Sequence, residues 1–150
     1  MTDDRADIRR LMIALNQIDG IYYYIAKKAG TKGNMIFLLY ALSDGQPHSQ
    51  KQISEEWLIP KTTINTVVKE CIQKGYVKVS ALEKKEKELE LTETGKQYTQ
   101  TILAPLFETE HQALDQTIKN YSPDFIEALE YFSCRLIQQF TTSLGDEEHE

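Results

Sequence analysis

Residues 59–77, IPKTTINTVVKECIQKGYV, carry the kinds of side chain that read nucleic acid. An asparagine amide can bridge the N6 and N7 edges of adenine, hydroxyls contact base edges, and lysines neutralise phosphates. The apolar positions recur at helical spacing, so a helix that buries them presents the polar groups together on its other side. The predicted DNA contacts of this helix are Lys61, Thr62, Thr63, Asn65, Thr66 and Lys69.

The spacing predicts a helix over residues 61–74. At a rise of about 1.5 Å per residue this is a rod of about 21 Å, which a major groove ~12 Å wide admits lengthwise. Pro60 suits the start of the helix, and Gly75 suits the residue after its end. From this segment alone, the polar side could equally be the solvated surface of a protein that binds no DNA. The stripe expected to be buried is Ile64, Val67, Val68, Cys71 and Ile72.

The element before this helix completes a helix–turn–helix pair. SQKQ, residues 49–52, fits a capping box in which Ser49 is the N-cap and Gln52 the N3 residue. Ile53 and Trp57, four residues apart, form the inner face of the short helix that follows. Ser49 joins the predicted DNA contacts.

After Gly75 the apolar period changes from 3.6 to 2. YVKVS (76–80) and ELEL (88–91) alternate, which predicts a two-stranded ribbon with a charged loop. Two strands alone are marginally stable, so the ribbon must pack on the preceding helices. The lysines of the loop, Lys84, Lys85 and Lys87, are predicted to attract phosphate.

Composition and charge bound the class of protein. A chain of 150 residues is of single-domain size, and its net charge is −6. The stretch 61–87 nevertheless holds seven lysines against three glutamates, so positive potential is concentrated where the DNA contacts are predicted. The longest apolar run has eight residues, well short of the ~20 of a membrane span, and the first residues do not resemble a signal peptide. We expect a cytoplasmic protein with no membrane partner.

The flanking segments carry more apolar surface than a small central lobe can cover. Residues 6–29 place apolar side chains at alternating spacings of 3 and 4, a heptad seam, and a second helix covers 35–42. The segment 92–117 can be one long helix that contains Pro105, and a last helix carries the apolar positions of 125–144. Helices from both termini that need an outside partner suggest a two-fold dimer.

The run from Ser49 to Tyr98 resembles the MarR-type winged helix–turn–helix transcription regulators. Residues 59–77 are similar to that family's recognition helix and the start of its wing, and LTETGKQY (91–98) to its LT-x-x-G start of the long dimer helix. The resemblance implies a mainly α fold with a small β-hairpin, within a single domain 1–150. Residues 46–96 would form the winged helix–turn–helix DNA-binding lobe, and 6–29 with 97–144 the dimerisation helices.

The resemblance also implies a function. A homodimer would bind double-stranded DNA at a palindromic operator and repress transcription. A small aromatic or anionic ligand, bound between the dimer and DNA-binding lobes, would release it. Tyr22 and Tyr23 are candidates for the wall of that ligand pocket, although tyrosines of a dimer seam are the plainer explanation. The family's wing usually carries an Asp-x-Arg pair, whereas Glu83 and Lys85 stand at the aligned positions here.

The sequence gives little indication of catalysis, metal binding or redox chemistry. No nucleophile–base pair, glycine-rich phosphate loop or paired carboxylates indicate an enzyme, and no cofactor is expected. The three histidines are too far apart for a metal site. Cys71 falls on the buried stripe. The peroxide-sensing branches of the family that the chain resembles carry a reactive cysteine on the first helix, and residues 6–29 contain no cysteine. The alternative function is a winged-helix module that binds protein instead of DNA.

The wing lysines give a first prediction. Arginine is absent from residues 46–96, and lysine lacks the planar fork that fixes arginine on a base or in a narrow groove. Replacing Lys84, Lys85 and Lys87 together by Ala should therefore weaken binding to all duplexes alike. The slope of log K against log salt should become shallower by a few units, because each lost phosphate contact removes about 0.9. An unchanged slope would show that these lysines do not contact phosphate.

Overall fold

A computed structural model describes residues 4–80 and 86–147 of the chain. Its backbone contacts divide it into two compact units, Met1–Pro105 and Leu106–Glu150. The first unit contains all the residues predicted to bind DNA. The second contains the C-terminal part of one long helix and the last helix.

The predicted mainly α architecture with a small sheet is confirmed. The helices are α1 (Asp4–Ala29), α2 (Gly33–Ala41), α3 (Gln50–Glu56), α4 (Lys61–Gln73), α5 (Glu93–Asn120) and α6 (Asp124–Glu147). The strands are β1 (His48–Ser49), β2 (Val77–Ser80) and β3 (Glu88–Leu91). Pro105 lies inside α5, so the long helix predicted there is continuous.

The sheet has one strand more than the predicted ribbon. The short β1 pairs antiparallel with β3, which gives the order β1-β3-β2. His48 lies opposite Leu89, and Val77 opposite Leu91, so β3 is the central strand. The two-residue β1 has no alternation from which the sequence could have predicted the pairing. It ties the start of α3 directly to the wing.

The core of the first unit forms between α2, α4 and the sheet. Four residues of the predicted α4 stripe are buried, but Ile72 is 42% exposed, so its prediction as a buried residue is wrong. Ile72 lies in the last turn of α4, at the edge of the core. The core cluster comprises Met35, Leu38, Leu39, Leu42, Ile53, Ile64, Val67, Val68, Cys71, Val77, Leu89 and Leu91.

The C-terminus of α4 ends in a Schellman motif. Gly75 has φ +77°, the left-handed conformation that was predicted for it. The N–H of Tyr76 donates to the carbonyl of Cys71 at 2.9 Å, and the N–H of Gly75 to the carbonyl of Ile72 at 3.0 Å. The motif turns the chain from α4 into β2.

The LT-x-x-G segment joins this turn to α5. The Thr92 hydroxyl donates to the carbonyl of Gly75 and accepts from the N–H of Gly95 at 2.9 Å, so Thr92 caps α5. The N–H of Thr92 donates to the carbonyl of Tyr76 at 3.0 Å. Gly95 lies so close to this carbonyl that a Cβ on it would stand 1.9 Å from the oxygen. The rings of Tyr76 and Tyr98 stack with their centroids 4.3 Å apart.

Each unit leaves apolar side chains exposed on its long helices. In the first unit, α1 packs on α2, but Ile8 and Ile18 of the predicted heptad seam are 46% and 57% exposed. In the second unit, the exposed apolar residues of α6 include Phe125, Leu136 and Phe140. Exposed apolar side chains that lie together are typical of surfaces that bind a partner.

The contact at Gly95 gives a second prediction. Gly95→Ala should lower the free energy of unfolding by about 3 kcal/mol, because its methyl group would overlap the carbonyl of Tyr76 and force α5 away from the wing. Urea denaturation measures the change. Gly20→Ala is the matched control: no atom lies within 4 Å of the new methyl, and alanine in a helix should add about 0.5–1 kcal/mol. An unchanged urea midpoint for Gly95→Ala would contradict the described approach.

Candidate nucleic-acid interface

The side of α4 opposite the core is polar and exposed. Ile64, Val67, Val68 and Cys71 are buried, and this fixes the rotation of the helix about its axis. Thr63 is only half-buried and turns toward a neighbouring cleft described below. The exposed polar residues are Lys61, Thr62, Asn65, Thr66, Lys69 and Gln73.

The hydrogen bonds of this face show which polar groups remain for a ligand. The hydroxyl of Thr66 donates to the carbonyl of Thr62 at 3.1 Å, which leaves its oxygen lone pairs to accept. The side-chain oxygen of Asn65 accepts from the amide of Gln50, the first residue of α3. The Asn65 amide nitrogen is thereby oriented away from Gln50. Sequence reasoning missed Gln50, because its partner lies on another helix, 15 residues later.

Ser49 caps α3, as predicted, through its side-chain oxygen, which accepts from the N–H of Gln52 at 2.9 Å. The second half of the predicted capping box is wrong. The Gln52 amide donates to Glu56 at 2.8 Å, one turn along the helix, and does not reach back to Ser49. Ser49 is half-buried, and its hydroxyl hydrogen remains able to donate.

Three lysines come together beside the exposed face. Lys51 of α3, Lys61 of α4 and Lys87, which directly precedes β3, line one cleft of about 340 Å³ together with Glu86. The carbonyl of Lys87 accepts from the N–H of Gln50 at 3.0 Å, which holds the wing against α3. The predicted contacts Lys84 and Lys85 lie outside the described residues. Sequence reasoning did not select Lys51, which shares a helix face with Glu55.

The exposed face carries positive charge along its length, because Lys61 lies in the first turn of α4 and Lys69 in its C-terminal half. The three lysines outnumber Glu86 at the N-terminal end of α4. Near the other end, the ammonium group of Lys32 lies 3.0 Å from the carboxylate of Glu70, so this pair cancels. Lys69 remains exposed beside this pair, so a polyanion would be attracted to both halves of α4.

A second cleft, of about 490 Å³, lies between α1, α2 and the α3–α4 turn. Tyr22 lines it and stacks on Phe37, with ring centroids 4.6 Å apart. Tyr23, the other tyrosine predicted to line a ligand pocket, does not line this cleft. Its ring is 54% exposed and lies against Gly33. Trp57 contributes a further ring, which the sequence indicated only as part of the inner face of α3.

The remaining reactive groups do not assemble into a centre. Burial, followed by the nearby carboxylate of Glu70, raises the pKa of Cys71 to about 12 even though Lys74 opposes the change. Across 4–80 and 86–147, no three metal-ligating side chains lie together. Within the same stretches, no helix has the length and apolar character needed to cross a lipid bilayer.

Comparison with known proteins confirms the resemblance. Residues 30–86 match the family model of the MarR family. This segment contains the helix–turn–helix pair and the first strand of the wing. No curated protein sequence matches the chain.

Solved structures of MarR regulators share the fold. NMB1585, a MarR family regulator from Neisseria meningitidis, is 23% identical over 94% of this chain and 98% of its own, with a TM-score of 0.70. The transcription regulator MarR from Oenococcus oeni is 23% identical over 87% of this chain and 97% of its own, with a TM-score of 0.67. MarR from Staphylococcus aureus, in complex with salicylate and kanamycin, is 18% identical over 93% of both chains, with a TM-score of 0.63.

The buried thiol gives a third prediction. In a Cys134→Ser variant the remaining Cys71 should not react with a maleimide between pH 7 and 9, because it is buried and its thiolate is scarce below its pKa of about 12. Mass spectrometry measures the labelling. The same variant in concentrated guanidinium chloride is the control and should gain one label per chain. Rapid labelling of the folded variant would contradict the burial and reopen a redox role.

Proposed function

We propose that this chain is a repressor of the MarR family of winged helix–turn–helix transcription regulators and that it binds a palindromic operator as a homodimer. The match of residues 30–86 to the family model and the fold shared with solved MarR structures support the proposal. The observation that carries the proposal is the exposed polar face of α4, with Asn65 held by Gln50 and three lysines at one end. A helix of this length presents such a face to the floor of a major groove.

We divide the residues of this face into those that would read the base sequence and those that would bind phosphates. Asn65 and the threonine hydroxyls would contact base edges, which carry sequence information. Lys51, Lys61 and Lys87 would bind phosphates and fix the register of the helix in the groove. Lys84 and Lys85 would extend these phosphate contacts along the wing.

The dimer is supported by the apolar side chains that the long helices leave exposed. Ile8, Ile13 and Ile18 on α1 are 44–57% exposed, and Leu136, Phe140 and Leu144 on α6 are 48–64% exposed. Burying such surface is the main driving force of association. A two-fold dimer would place two copies of α4 about one turn of DNA apart, and this geometry demands a palindrome.

Release by a small aromatic ligand is supported by the cleft beside α4. Pro60, the N-cap of α4, and Thr63 in its first turn line the cleft together with Tyr22 of α1. A molecule in this position would contact both the dimer helix and the recognition helix. The Staphylococcus aureus MarR complex with salicylate and kanamycin supports the capacity of the fold to bind small molecules.

Selection of bound sequences from a random duplex library tests the function. We expect a palindrome whose half-sites lie about 10 bp apart. A protein that selects no sequence, or that fails to bind duplex DNA in dilute buffer, would contradict the proposal and favour a protein-binding module.

Asn65→Ala then tests the readout and is the fourth prediction. Affinity for the selected duplex should fall by about 1–3 kcal/mol per half-site, since a bidentate contact to one base is lost in each half-site. Binding to unrelated duplexes should not change. Asn120→Ala, at the C-terminus of α5, is the matched control and should behave like the parent protein. Equal loss on both kinds of duplex would show that Asn65 does not read sequence.

A further inference from the structure

The aromatic rings around the cleft form one connected cluster. Tyr22 stacks on Phe37 at 4.6 Å and meets Tyr40 edge-on at 5.5 Å, and Tyr40 in turn meets Trp57 at 5.7 Å. All four side chains are half-buried. Tyr22, Phe37 and Trp57 reach the cleft itself. Ring faces of this kind attract a cation through their quadrupole and pack equally well against another aromatic ring.

The polar lining of the cleft has one charge, and it is negative. Asp19 of α1 is the single charged side chain among the described residues that line it. No hydrogen bond or ion pair within the described chain engages the Asp19 carboxylate. Asn34 and Thr63 are neutral and complete the polar lining.

The α3–α4 turn holds an apolar side chain at the same cleft. Leu58 has φ +50°, a left-handed conformation that leucine rarely adopts, and its side chain is 73% exposed. The turn is fixed by Ser54, whose hydroxyl donates to the carbonyl of Ile59 at 2.6 Å and whose carbonyl accepts from the N–H of Ile59 at 3.0 Å. Strained backbone that the surroundings enforce is concentrated at ligand-binding sites.

From this lining we infer that the cleft binds an aromatic cation: a small molecule with a planar ring and an ammonium or amidinium group. The inference rests on the proposed function, because it names the class of the ligand for the same cleft. The ring would lie among Tyr22, Phe37 and Trp57, and the positive group would face Asp19. Of the two ligand classes that the sequence suggested, aromatic and anionic, the lining supports only the first.

Charge complementarity decides against an anion. An anionic ligand would bring a second negative charge beside the exposed Asp19, with no lysine or arginine among the described residues that line the cleft. A cation is instead attracted by the carboxylate of Asp19, and the faces of the aromatic rings attract it as well. A volume of about 490 Å³ lies in the range of small-molecule sites.

The test uses two probes of the same shape and opposite charge, benzyltrimethylammonium and phenylmethanesulfonate, with benzyl alcohol as the neutral control. Trp57 is the only tryptophan of the chain and lines the cleft, so its fluorescence reports binding to the full-length protein without DNA. We expect benzyltrimethylammonium to bind at least about tenfold more tightly than phenylmethanesulfonate. Equal affinities, tighter binding of the anion, or binding of neither probe would overturn the inference.

Two substitutions locate the charge effect, and both are at an exposed position that should tolerate them. Asp19→Asn should weaken cation binding about fivefold, and Asp19→Lys should invert the preference between the two probes. Asp7→Asn on the same helix, outside the cleft, is the matched control and should leave both affinities unchanged. If the ratio of the two probe affinities stays the same in both Asp19 variants, the assignment of Asp19 as the group that faces the cation is overturned.

A gel-shift titration with the selected duplex separates this inference from the proposed function. If benzyltrimethylammonium binds in an Asp19-dependent manner and releases DNA, both stand. If it binds in that manner without changing DNA affinity, the ligand class stands and the proposed release fails. If the protein binds no DNA at all, the fluorescence titration still decides the ligand class.

Discussion

The geometry of the winged helix–turn–helix lobe depends on the carbonyl groups of Gly75 and Tyr76. The Schellman motif that ends α4 delivers both groups to the start of α5, where Thr92 bonds to each of them and Gly95 lies against Tyr76. The end of α4, the start of β2 and the start of α5 therefore meet at these two carbonyl groups. Only a residue without a Cβ fits at position 95, and only a hydroxyl residue at 92 can both cap α5 and donate to Gly75. The LT-x-x-G pattern is thus a packing requirement of the fold, and the orientation of the recognition helix follows from it.

The polar face of α4 is stabilised by residues on its other side. Threonine and asparagine are poor helix formers, each about 0.5 kcal/mol less favourable than alanine, so the exposed face works against the helix. The burial of Ile64, Val67, Val68 and Cys71 outweighs this, at about 1.5–3 kcal/mol for a fully buried side chain of valine or isoleucine size. Because the buried side chains stabilise α4, the residue types at its exposed positions can be suited to binding a ligand without loss of the fold.

Features that depend on neighbouring residues in the sequence were predicted well, whereas features that depend on contacts between distant residues were missed. The helix over α4, the left-handed Gly75 and the Ser49 cap follow from spacing and residue type, and each is present. The pairing of β1 with β3 could not be predicted, because two residues carry no periodicity. Gln50 and Asp19 were missed for a related reason: each is significant only beside residues that are distant in sequence. Tyr23 was assigned to a ligand wall because it neighbours Tyr22, yet adjacent residues on a helix point about 100° apart.

The proximity of cleft and recognition helix sets what a ligand there can do. Pro60 and Thr63 belong to the first turn of α4 and line the cleft, while Thr62 and Asn65 of the same helix face outward. A ligand changes DNA affinity only by the difference in its own affinity for the DNA-bound and free conformations. To shift an operator from 99% to 1% occupancy, that difference must be about 10⁴-fold, or about 5.5 kcal/mol. A contact to one turn of a helix supplies a difference of this size only if the bound ligand and the DNA-bound position of α4 exclude each other. The hydrogen bonds of Gly75 and Tyr76 connect the other end of α4 to β2 and α5, so a ligand that displaced α4 as a body would displace the wing with it.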